Sequence, residues 1–484
     1  MRICMVFPRT TMFENPMVYP PLGLFVIKAV LQEHGHSVDY FDMSEFTVET
    51  DGTRITKREN PPLGYDAYMI GGTSPQAQEI MRLARFLRDN DCLVIGGGPH
   101  VTNNAGPATT TGLSIVSSVE NIDSIKEKSR KSLLETFHLL IKYEGERAVL
   151  KALERLEEAQ KRMKIFGQGI VIEEPLIPQA EMGEIPIPDR EYADQYKAYL
   201  EDSAGNIYPT TTMFSSRGCP ERCAFCDSPA LWGRAMRYAP MDRVQEELQD
   251  INDRGFKGVY FYDDILFLNK KRAMELYDKL HSFGFVSRGN MRTDVIAKDH
   301  YGFSFLEHMR DRGLVDVFVG VESGSNQIKA NIHKGTTIEQ DSLVLKWCKE
   351  LGIKFKASVI FGLPGETKET MEATKRWVLE NRPDKVNACL FIPFSGIPIV
   401  KGVNLARGIQ IDDDRAKQYG QDAIHDYDIQ WSHTTDELEQ YFYAGSRKPG
   451  AMRALVSTSA VSAQEIQDSF DDFLRDLEKE KIPF

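Results

Sequence analysis

The sequence has no apolar run long enough to cross a membrane, and its N-terminus lacks the apolar core of a signal peptide. No internal repeat and no low-complexity tract is visible along its 484 residues. Basic residues do not predominate, because 59 Lys and Arg face 71 Asp and Glu, for a formal net charge of -12. That balance argues against broad non-specific binding of nucleic acid. We therefore expect a soluble, cytoplasmic protein with no membrane span and no nucleic-acid partner.

Cysteine is also scarce, and its distribution argues against a disulfide scaffold. Four of the seven cysteines are scattered through apolar segments, at Cys4, Cys92, Cys348 and Cys389. This pattern predicts buried free thiols in a reduced, intracellular protein.

The other three cysteines fall within eight residues at C-x3-C-x2-C spacing, at Cys219, Cys223 and Cys226. A loop this short cannot easily pair its own cysteines without strain, but it can wrap three thiolates around one metal cluster. A structural zinc site is the alternative, yet zinc needs a fourth Cys or His and the next histidine is His281. Three ligands on a four-iron cluster leave one iron open to a small molecule.

The first third of the chain alternates between apolar runs and segments of helical spacing. Four runs predict buried strands, at residues 2–8, 37–41, 65–71 and 92–95. Three segments predict helices, at residues 20–36, 74–90 and 129–143. The alternation indicates a doubly wound parallel sheet, in which ligands bind at the carboxyl ends of the strands.

Two of these strands end in glycine and small polar residues. Residues 71–74 read Gly-Gly-Thr-Ser, and residues 96–100 read Gly-Gly-Gly-Pro-His. Glycine there lets a large flat or anionic group approach the backbone, although tight turns explain most such strand ends. A nicotinamide dinucleotide site is disfavoured, because the second run lacks the order Gly-x-Gly-x-x-Gly.

Strand-like runs after the cysteines end in charged residues. One ends in Asp263 and Asp264, which are candidate metal ligands or acids, and only one of them can face a given site because successive strand residues point oppositely. Another run ends in Glu322, which at a barrel mouth could accept both hydroxyls of a ribose or cap the next helix. A third carries Arg292 at its end, a partner for a carboxylate.

The cysteine spacing, with Phe225 before the third cysteine, resembles the radical S-adenosylmethionine (SAM) superfamily, as does the phrase IFGLPGET at residues 360–367. The resemblance implies that a [4Fe-4S] cluster, with one iron open to SAM, is held by Cys219, Cys223 and Cys226. It implies SAM contacts at Phe225, Asp263, Arg292, Glu322, Ser323, Gly362 and Pro364. Glu322 would hold the ribose, Phe225 would pack near the adenine, and Asp263 would be the inner carboxylate of its pair. An electron donor such as a flavodoxin or a ferredoxin is the implied protein partner.

The Rossmann-like domain ahead of the cysteines resembles the cobalamin-binding class of this superfamily. The phrases YPPLGL, EHGHSVDYFD, YDAYMIGGTS and CLVIGGGPH match that class in type and order. The resemblance implies cobalamin contacts at Thr73, Ser74, Gly96, Gly97, Gly98 and His100. The loop from Pro8 to Tyr19 contains no histidine, so we assign no lower ligand to cobalt from the Asp-x-His-x-x-Gly motif.

The reaction that the resemblance implies is methylation of an unactivated carbon. One SAM would methylate cobalamin, and a second would be cleaved to a 5′-deoxyadenosyl radical that removes hydrogen from the substrate. A ring contraction, cyclisation or oxidation with the same cofactors is an alternative, and a cobalamin or iron–sulfur sensor is a non-catalytic one. The absence of a small-molecule pocket signature favours a peptide or protein substrate over a natural product, a lipid or a tetrapyrrole.

We therefore predict an α/β protein in four segments. A Rossmann-like, doubly wound parallel sheet spans residues 1–150, and a linker spans residues 151–205. A partial (β/α)6 TIM-like radical SAM barrel spans residues 206–400, and a mostly helical C-terminal region spans residues 401–484.

Overall fold

The computed structural model describes residues 1–9, 16–18, 20–48, 54–56, 58–105, 130–298, 301–392, 397–399, 427–431 and 452–484. The chain divides into two compact units, one of Met1–Tyr196 with Ala230–Trp232 and one of Lys197–Pro229 with Gly233–Phe484. In the described stretches, no helix is both long and apolar enough to span a membrane.

The strands of the first unit are β1 (Arg2–Phe7), β2 (Ser37–Asp42), β3 (Phe46–Val48), β4 (Arg54–Thr56), β5 (Ala67–Gly71), β6 (Val94–Gly97), β7 (Leu139–Lys142) and β8 (Ile170–Glu173). Its helices are α1 (Leu22–Glu33), α2 (Ala77–Asp89), α3 (Pro99–Asn104), α4 (130–136), α5 (Gly145–Glu154) and α6 (Leu156–Phe166). Six strands form one parallel sheet in the order β2-β1-β5-β6-β7-β8, and β3 pairs with β4 in a separate antiparallel hairpin. The predicted doubly wound parallel sheet is confirmed.

The sequence explains why this sheet lies inside the unit. Ile3 to Val6 in β1 are fully buried, as is usual for parallel strands covered by helices on both faces. Helix α1 begins directly after Pro21 and is followed by Gly35, whose φ of +79° ends the helical path.

The strand order reverses direction at β1, which has β2 on one side and β5 on the other. Ligands of doubly wound sheets bind where the order reverses, at the carboxyl ends of the strands. The Gln76 side chain, in the turn after β5, donates a 2.6 Å hydrogen bond to the carbonyl of Pro8 after β1. The two strand ends at the reversal are therefore tied together.

Two stretches of the first unit differ from the sequence-based expectation. The helix predicted over 129–143 ends at residue 136, and β7 follows it in the sheet. The predicted linker, 151–205, contains all of helix α6 and strand β8, which pairs with β7, so much of it belongs to the first unit. Four-residue strands such as these are too short to show a clear period.

The remaining strands are β9 (Tyr199–Glu201), β10 (Ile207–Met213), β11 (Ser216–Arg217), β12 (Arg237–Tyr238), β13 (Gly258–Phe261), β14 (Val286–Met291), β15 (Leu314–Glu322), β16 (Lys354–Phe361), β17 (Lys385–Leu390), β18 (Gln430–Trp431) and β19 (Val456–Ser457). The remaining helices are α7 (Ser228–Trp232), α8 (Met241–Asp253), α9 (Lys270–Phe283), α10 (Thr293–Ile296), α11 (Gly302–Asp311), α12 (Asn326–Asn331), α13 (Ile338–Leu351), α14 (Lys368–Asn381) and α15 (Ala463–Lys479). Their main sheet has the order β17-β16-β15-β14-β13-β10-β9.

Six strands of this sheet, β10 and β13 to β17, are parallel and are separated along the chain by helices, while β9 is an antiparallel edge strand. The predicted partial (β/α)6 barrel is confirmed. All six parallel strands bring their carboxyl ends to one edge, where Met213 leads into the cysteine loop and β15 ends at Glu322.

The C-terminal region contributes one long helix to the described residues. Ser462 and Glu465 cap the start of α15 reciprocally, through both side chains and both backbone N–H groups. Its rings of Phe470 and Phe473 lie 5.7 and 5.3 Å from the ring of Phe361 at the end of β16. Residues 400–426 and 432–451, also part of the predicted helical region, lie outside the described residues.

Candidate functional site

The cysteine loop is held by backbone contacts on both sides. Gly218, with φ of +94°, precedes the first cysteine, and a Cβ there would stand 2.2 Å from the carbonyl oxygen of Ala235. Within the loop, Ala224 donates its N–H to Ile332 and accepts from the N–H of Ile399. The loop path therefore requires glycine at one end and is bonded to neighbouring segments at its centre.

The three thiols of this loop are in a low-dielectric environment. Cys219 and Cys223 are buried and Cys226 is half-buried. Burial raises the pKa of the Cys219 thiol to about 11 and raises that of Cys226 well above its ordinary value. Such thiols stay protonated until a metal takes the place of the proton.

The donor set fits a cluster better than a single ion. Among the described residues, no group of three or more His, Cys, Asp and Glu side chains is close enough together to hold one metal ion. In a four-iron cluster each thiolate binds a different iron, so the three sulfurs do not have to converge on one point. A zinc site does require that convergence.

Two cations lie beside Cys223. The Nη1 atom of Arg292 is 3.5 Å from the Cys223 sulfur, and Lys334 is buried with its Nζ 5.7 Å from the centre of the Phe225 ring. Burial alone would lower the Lys334 pKa, but the charges of Glu322 and Cys223 outweigh it and raise that pKa. The middle cysteine of the loop therefore has two positively charged side chains as neighbours.

Glu322 and Lys334 form a buried pair at the carboxyl end of β15. The Nζ of Lys334 donates a 2.8 Å hydrogen bond to Oε1 of Glu322. Glu322 has a φ of +65°, which is uncommon outside glycine, and the pairing of β15 with β16 shifts register there. A Cβ at Gly320 would stand 2.1 Å from Oε1 of Glu322, so glycine leaves the room that the pair occupies. Strain of this kind is typical of functional positions.

The two adjacent aspartates have different environments. Asp263 is fully buried, and its carboxylate accepts hydrogen bonds of 2.5–2.7 Å from Ser215 and Ser216. Asp264 is half-buried, and burial raises its pKa to about 6, while its charge acts on the thiols of Cys219 and Cys226. The structure therefore places Asp263 as a clamp on the strand that enters the cysteine loop.

The remaining predicted SAM residues lie in two turns. Ser323 is fully buried and its Oγ lies 3.2 Å from Oγ1 of Thr374. Gly362 has a φ of +89°, and the carbonyl of Pro364 accepts a 3.1 Å hydrogen bond from Asn331. The contact of these residues with SAM stays a prediction.

The turn at Gly362 is organised by Glu366. Its Oε2 accepts from the N–H groups of Gly362 and Leu363 at 2.6 and 3.3 Å, whereas its buried Oε1 has no hydrogen-bond partner among the described residues. Burial raises the pKa of Glu366 from 4.5 to about 8. A neutral carboxyl group is thus the stable form of this side chain at pH 7.

We predict that Glu366→Gln makes stability less dependent on pH. The folded protein keeps the proton up to about pH 8, while the unfolded chain releases it near 4.5, so the protonated group's contribution is full below pH 4.5 and is lost as pH rises through 8. The free energy of unfolding should be measured with urea at pH 5 and at pH 8.5 for the variant and the native protein. Relative to the native protein, the variant should be more stable at pH 8.5 than at pH 5 by a few kcal/mol, because each pKa unit corresponds to about 1.4 kcal/mol. If the variant and the native protein differed in unfolding free energy by the same amount at both pH values, the assigned protonation state of Glu366 would be contradicted.

The face of the barrel sheet opposite its helices is polar. Strand register sets Tyr260, Arg288 and Asp316 side by side, and Arg288 lies 3.1 Å from the Asp316 carboxylate and 4.5 Å from the Tyr260 ring centre. Val317 and Val319, which alternate with Asp316 and Phe318, are fully buried. One face of β15 therefore packs in the apolar core, and the other carries charged and aromatic groups.

In the first unit, the predicted cobalamin residues lie on two adjoining loops after β5 and β6. Thr73 is exposed, and Ser74, Gly97 and Gly98 are half-buried. Gly98 has a φ of +87°, and a Cβ there would stand 2.9 Å from the carbonyl oxygen of Gly72. These four positions share an accessible part of the carboxyl edge of the sheet. The close approach of residue 98 to the Gly72 backbone requires glycine at that position.

The other two predicted cobalamin residues face inward. A Cβ at Gly96 would stand 2.9 Å from the ring of Phe137, so this glycine makes room for core packing. His100 is buried, its Nδ1 lies 3.4 Å from Oγ of Ser74 and 3.3 Å from Nδ2 of Asn104, and burial lowers its pKa to about 4. A neutral histidine with these neighbours supports the loop. The Nδ1 atom of His100 faces Ser74 and Asn104.

The four cysteines outside the loop are free thiols, as predicted. Cys4 and Cys348 are buried, but Cys92 and Cys389 are only half-buried, so the expectation of full burial was wrong for these two. Cys389 occupies the half-exposed face of β17, where alternate residues are open.

The parallel half-barrel and its three-cysteine loop define a class of enzyme that holds an iron–sulfur cluster at the carboxyl edge of the sheet. Residues 213–378 match the model of the Radical SAM superfamily. This span contains the cysteine loop, Glu322 and the turn at Gly362. The chain thus contains a radical SAM domain, and the family resemblance stated from the sequence is confirmed.

Individual relatives add to this match. The chain is 28% identical to an uncharacterized methyltransferase of Pyrococcus horikoshii over 424 residues, 82% of either chain. It is 26% identical over 274 residues to the anaerobic magnesium-protoporphyrin IX monomethyl ester cyclase of Cereibacter sphaeroides, covering 54% of this chain and 44% of that one. The chain is therefore similar, over most of its length, to a protein named as a methyltransferase and, over about half of its length, to one named as a cyclase.

A solved structure shares the fold along nearly the whole chain. The radical SAM methyltransferase TsrM from Kitasatospora setae, with cobalamin and a [4Fe-4S] cluster bound, matches with a TM-score of 0.64 over 98% of this chain and 88% of that chain. The two sequences are 14% identical, so the likeness is one of fold. The two cofactors in that structure are those that the sequence predicts here.

The sequence did not single out Lys334. For Asp263 and Asp264, only the alternation of side chains along a strand was available to predict which of the two faces the site. Lys334 lies in a short His-Lys-Gly turn after α12, where no pattern distinguishes it from a surface lysine. Its neighbour Gly335 has a φ of +74°, and a tight turn beside a lysine was the one available signal.

Proposed function

We propose that the protein is a cobalamin-dependent radical SAM methyltransferase that methylates an unactivated carbon of a polar substrate, with a peptide or protein side chain as the favoured class. The observation that carries this proposal is the cysteine loop at the carboxyl edge of a radical SAM half-barrel, with Arg292 and Lys334 beside its middle thiol. When bound, the cluster and SAM would supply a 5′-deoxyadenosyl radical, and cobalamin would supply the methyl group.

The chain's own residues would bind and orient these groups. Cys219, Cys223 and Cys226 would hold the cluster, and Glu322, fixed by Lys334 at 2.8 Å, would accept the ribose hydroxyls of SAM. A carboxylate that is already oriented loses little freedom when the ligand arrives, which favours a single binding geometry.

Thr73, Ser74, Gly97 and Gly98 would contact cobalamin at the carboxyl edge of the first sheet. Two observations support this assignment. The four residues are at least partly accessible to solvent, and the fold resembles that of TsrM, whose structure contains cobalamin. His100 would stabilise this loop through its contact with Ser74.

We predict that Gly98→Ala weakens cobalamin binding without loss of iron. The added Cβ would stand 2.9 Å from the Gly72 backbone at a φ of +87°, so the loop must move. A loss of about 1.4 kcal/mol or more, which is roughly ten-fold in affinity, should appear in a cobalamin titration followed by absorbance. Gly167→Ala is the matched control, because Gly167 also has a positive φ, +66°, but nothing lies within 4 Å of its Cβ position. If the two variants bound cobalamin with equal affinity, the assignment of the Gly98 loop to cobalamin binding would be contradicted.

The substrate class is supported by the polar face of the half-barrel. The Arg288–Asp316 pair and the aromatic rings around it suit hydrogen-bonding and charged groups better than a purely apolar lipid. A peptide presents such groups along its backbone. Turnover of a small-molecule precursor with none of peptides would remove this preference.

The experiment that tests the activity is SAM cleavage by the anaerobically reduced protein. We expect 5′-deoxyadenosine to form with the cofactor-loaded protein, and S-adenosylhomocysteine to form beside it when a methyl acceptor is present. Formation of 5′-deoxyadenosine without any S-adenosylhomocysteine, across acceptor libraries, would favour the second candidate. That candidate is a non-methylating rearrangement or cyclisation, and it is favoured by the similarity to the monomethyl ester cyclase.

A further inference from the structure

One barrel side chain contacts the cysteine loop directly. Nη1 of Arg292 lies 3.5 Å from Sγ of Cys223 and donates a hydrogen bond to it. Arg292 is the residue between β14 and α10, so its backbone stands at the carboxyl edge of the sheet. Both side chains are buried, and a hydrogen bond in such a place is stronger than one in water.

The direction of this guanidinium is fixed by its other bonds. Nε and Nη2 bond the two oxygens of Asp294 at 3.0 and 3.2 Å, and Nη2 also donates to the Lys334 carbonyl at 2.7 Å. Glu221 lies 3.2 Å from Nη2 in the cysteine loop itself. A Cβ at Gly335 would stand 3.2 Å from Nη2, so glycine leaves room for this arrangement. With Nε and Nη2 engaged, Nη1 is the group that faces the sulfur.

We propose that Arg292 is a positioning residue that sets the reduction potential of the cluster through its bond to Cys223. The inference rests on the proposed function, because it requires the cluster. A hydrogen bond to a ligand sulfur stabilises the electron-rich, reduced form of an iron–sulfur cluster, and it raises the potential. Arg292 thereby makes it easier for one electron from the donor protein to enter the cluster. Asp294 takes part by holding the guanidinium in place.

The test is a redox titration of the reconstituted full-length protein, without SAM, followed by electron paramagnetic resonance. Arg292→Gln removes the charged guanidinium and leaves a shorter, neutral amide, and we expect the variant to keep about four iron per chain. At a fixed solution potential, its ratio of reduced to oxidised cluster should fall about ten-fold, which is about 59 mV for a one-electron couple. Asp294→Asn should shift the ratio in the same direction by a smaller factor, because the guanidinium stays but loses its charged holder.

Arg310→Gln is the matched control for net charge. Arg310 is paired with its neighbour Asp311 at an exposed position, so its removal should leave the potential unchanged. An unchanged potential in Arg292→Gln with full iron would overturn the proposal. It is also the result expected if the guanidinium served only SAM, since SAM is absent. Loss of iron from both Arg292→Gln and Asp294→Asn would overturn it too, because Arg292 would then be needed to hold the cluster. Absence of iron from the native protein would instead contradict the proposed function.

Discussion

Replacing the three loop cysteines with alanine is expected to remove the cluster and to abolish SAM cleavage. The native protein should hold about four iron per chain, and the variant with Cys219→Ala, Cys223→Ala and Cys226→Ala should hold about none. No other group of three His, Cys, Asp or Glu side chains stands ready to bind metal in the part of the chain that the structure describes. Formation of 5′-deoxyadenosine should therefore fall to the level given by the reductant alone.

Cobalt content separates this result from general unfolding. The predicted cobalamin loops belong to the first compact unit and the cysteines to the second, so the variant should keep its cobalt. Cys348→Ala is the matched control, because it removes a buried thiol of α13 that takes no part in the loop. Iron retained by the triple variant, or lost from the control, would show that the cluster lies elsewhere.

Glu322→Gln is expected to weaken SAM binding strongly. The variant cannot accept two charge-assisted hydrogen bonds from the ribose, and it leaves Lys334 buried without a carboxylate. Loss of a hydrogen bond to a charged group costs about 1.5–3 kcal/mol, so the dissociation constant of SAM should rise roughly ten- to hundred-fold. Equilibrium binding to the cluster-loaded protein measures this directly.

Glu339→Gln provides the comparison for Glu322→Gln. Glu339 is exposed in the first turn of α13 and bonds Asn326, so its loss removes the same charge from a surface position. Its SAM affinity should match that of the native protein. If Glu322→Gln bound SAM as well as Glu339→Gln does, the carboxylate of Glu322 would serve only to neutralise Lys334.

The parts of the fold that follow from sequence are those with a strong local period. The apolar runs around Ile3 and Tyr68 mark strands that are buried on both faces, and the proline and glycine signals around α1 place both of its ends. The cysteine spacing and IFGLPGET identify the radical SAM half-barrel because the metal chemistry and the tight turn each demand particular residues at fixed positions. These elements need no knowledge of distant contacts.

The parts that sequence did not give depend on contacts between distant segments. Lys334 becomes part of the site only because β15 brings Glu322 to it, and the turn around it carries no period. Alternation alone cannot say which of Asp263 and Asp264 is bonded within the protein, and only the structure shows the bonds that Ser215 and Ser216 donate to Asp263. Strand β8 was missed because its four residues gain their place by pairing with β7.

The measurement that tests the central claim most directly is the cobalt and iron content of the native protein, purified without oxygen from cells supplied with cobalamin. A radical SAM enzyme with a separate cobalamin domain should contain about four iron and about one cobalt per chain. Iron at this level without cobalt would contradict methyl transfer through cobalamin and would leave a radical SAM enzyme whose first unit binds another ligand.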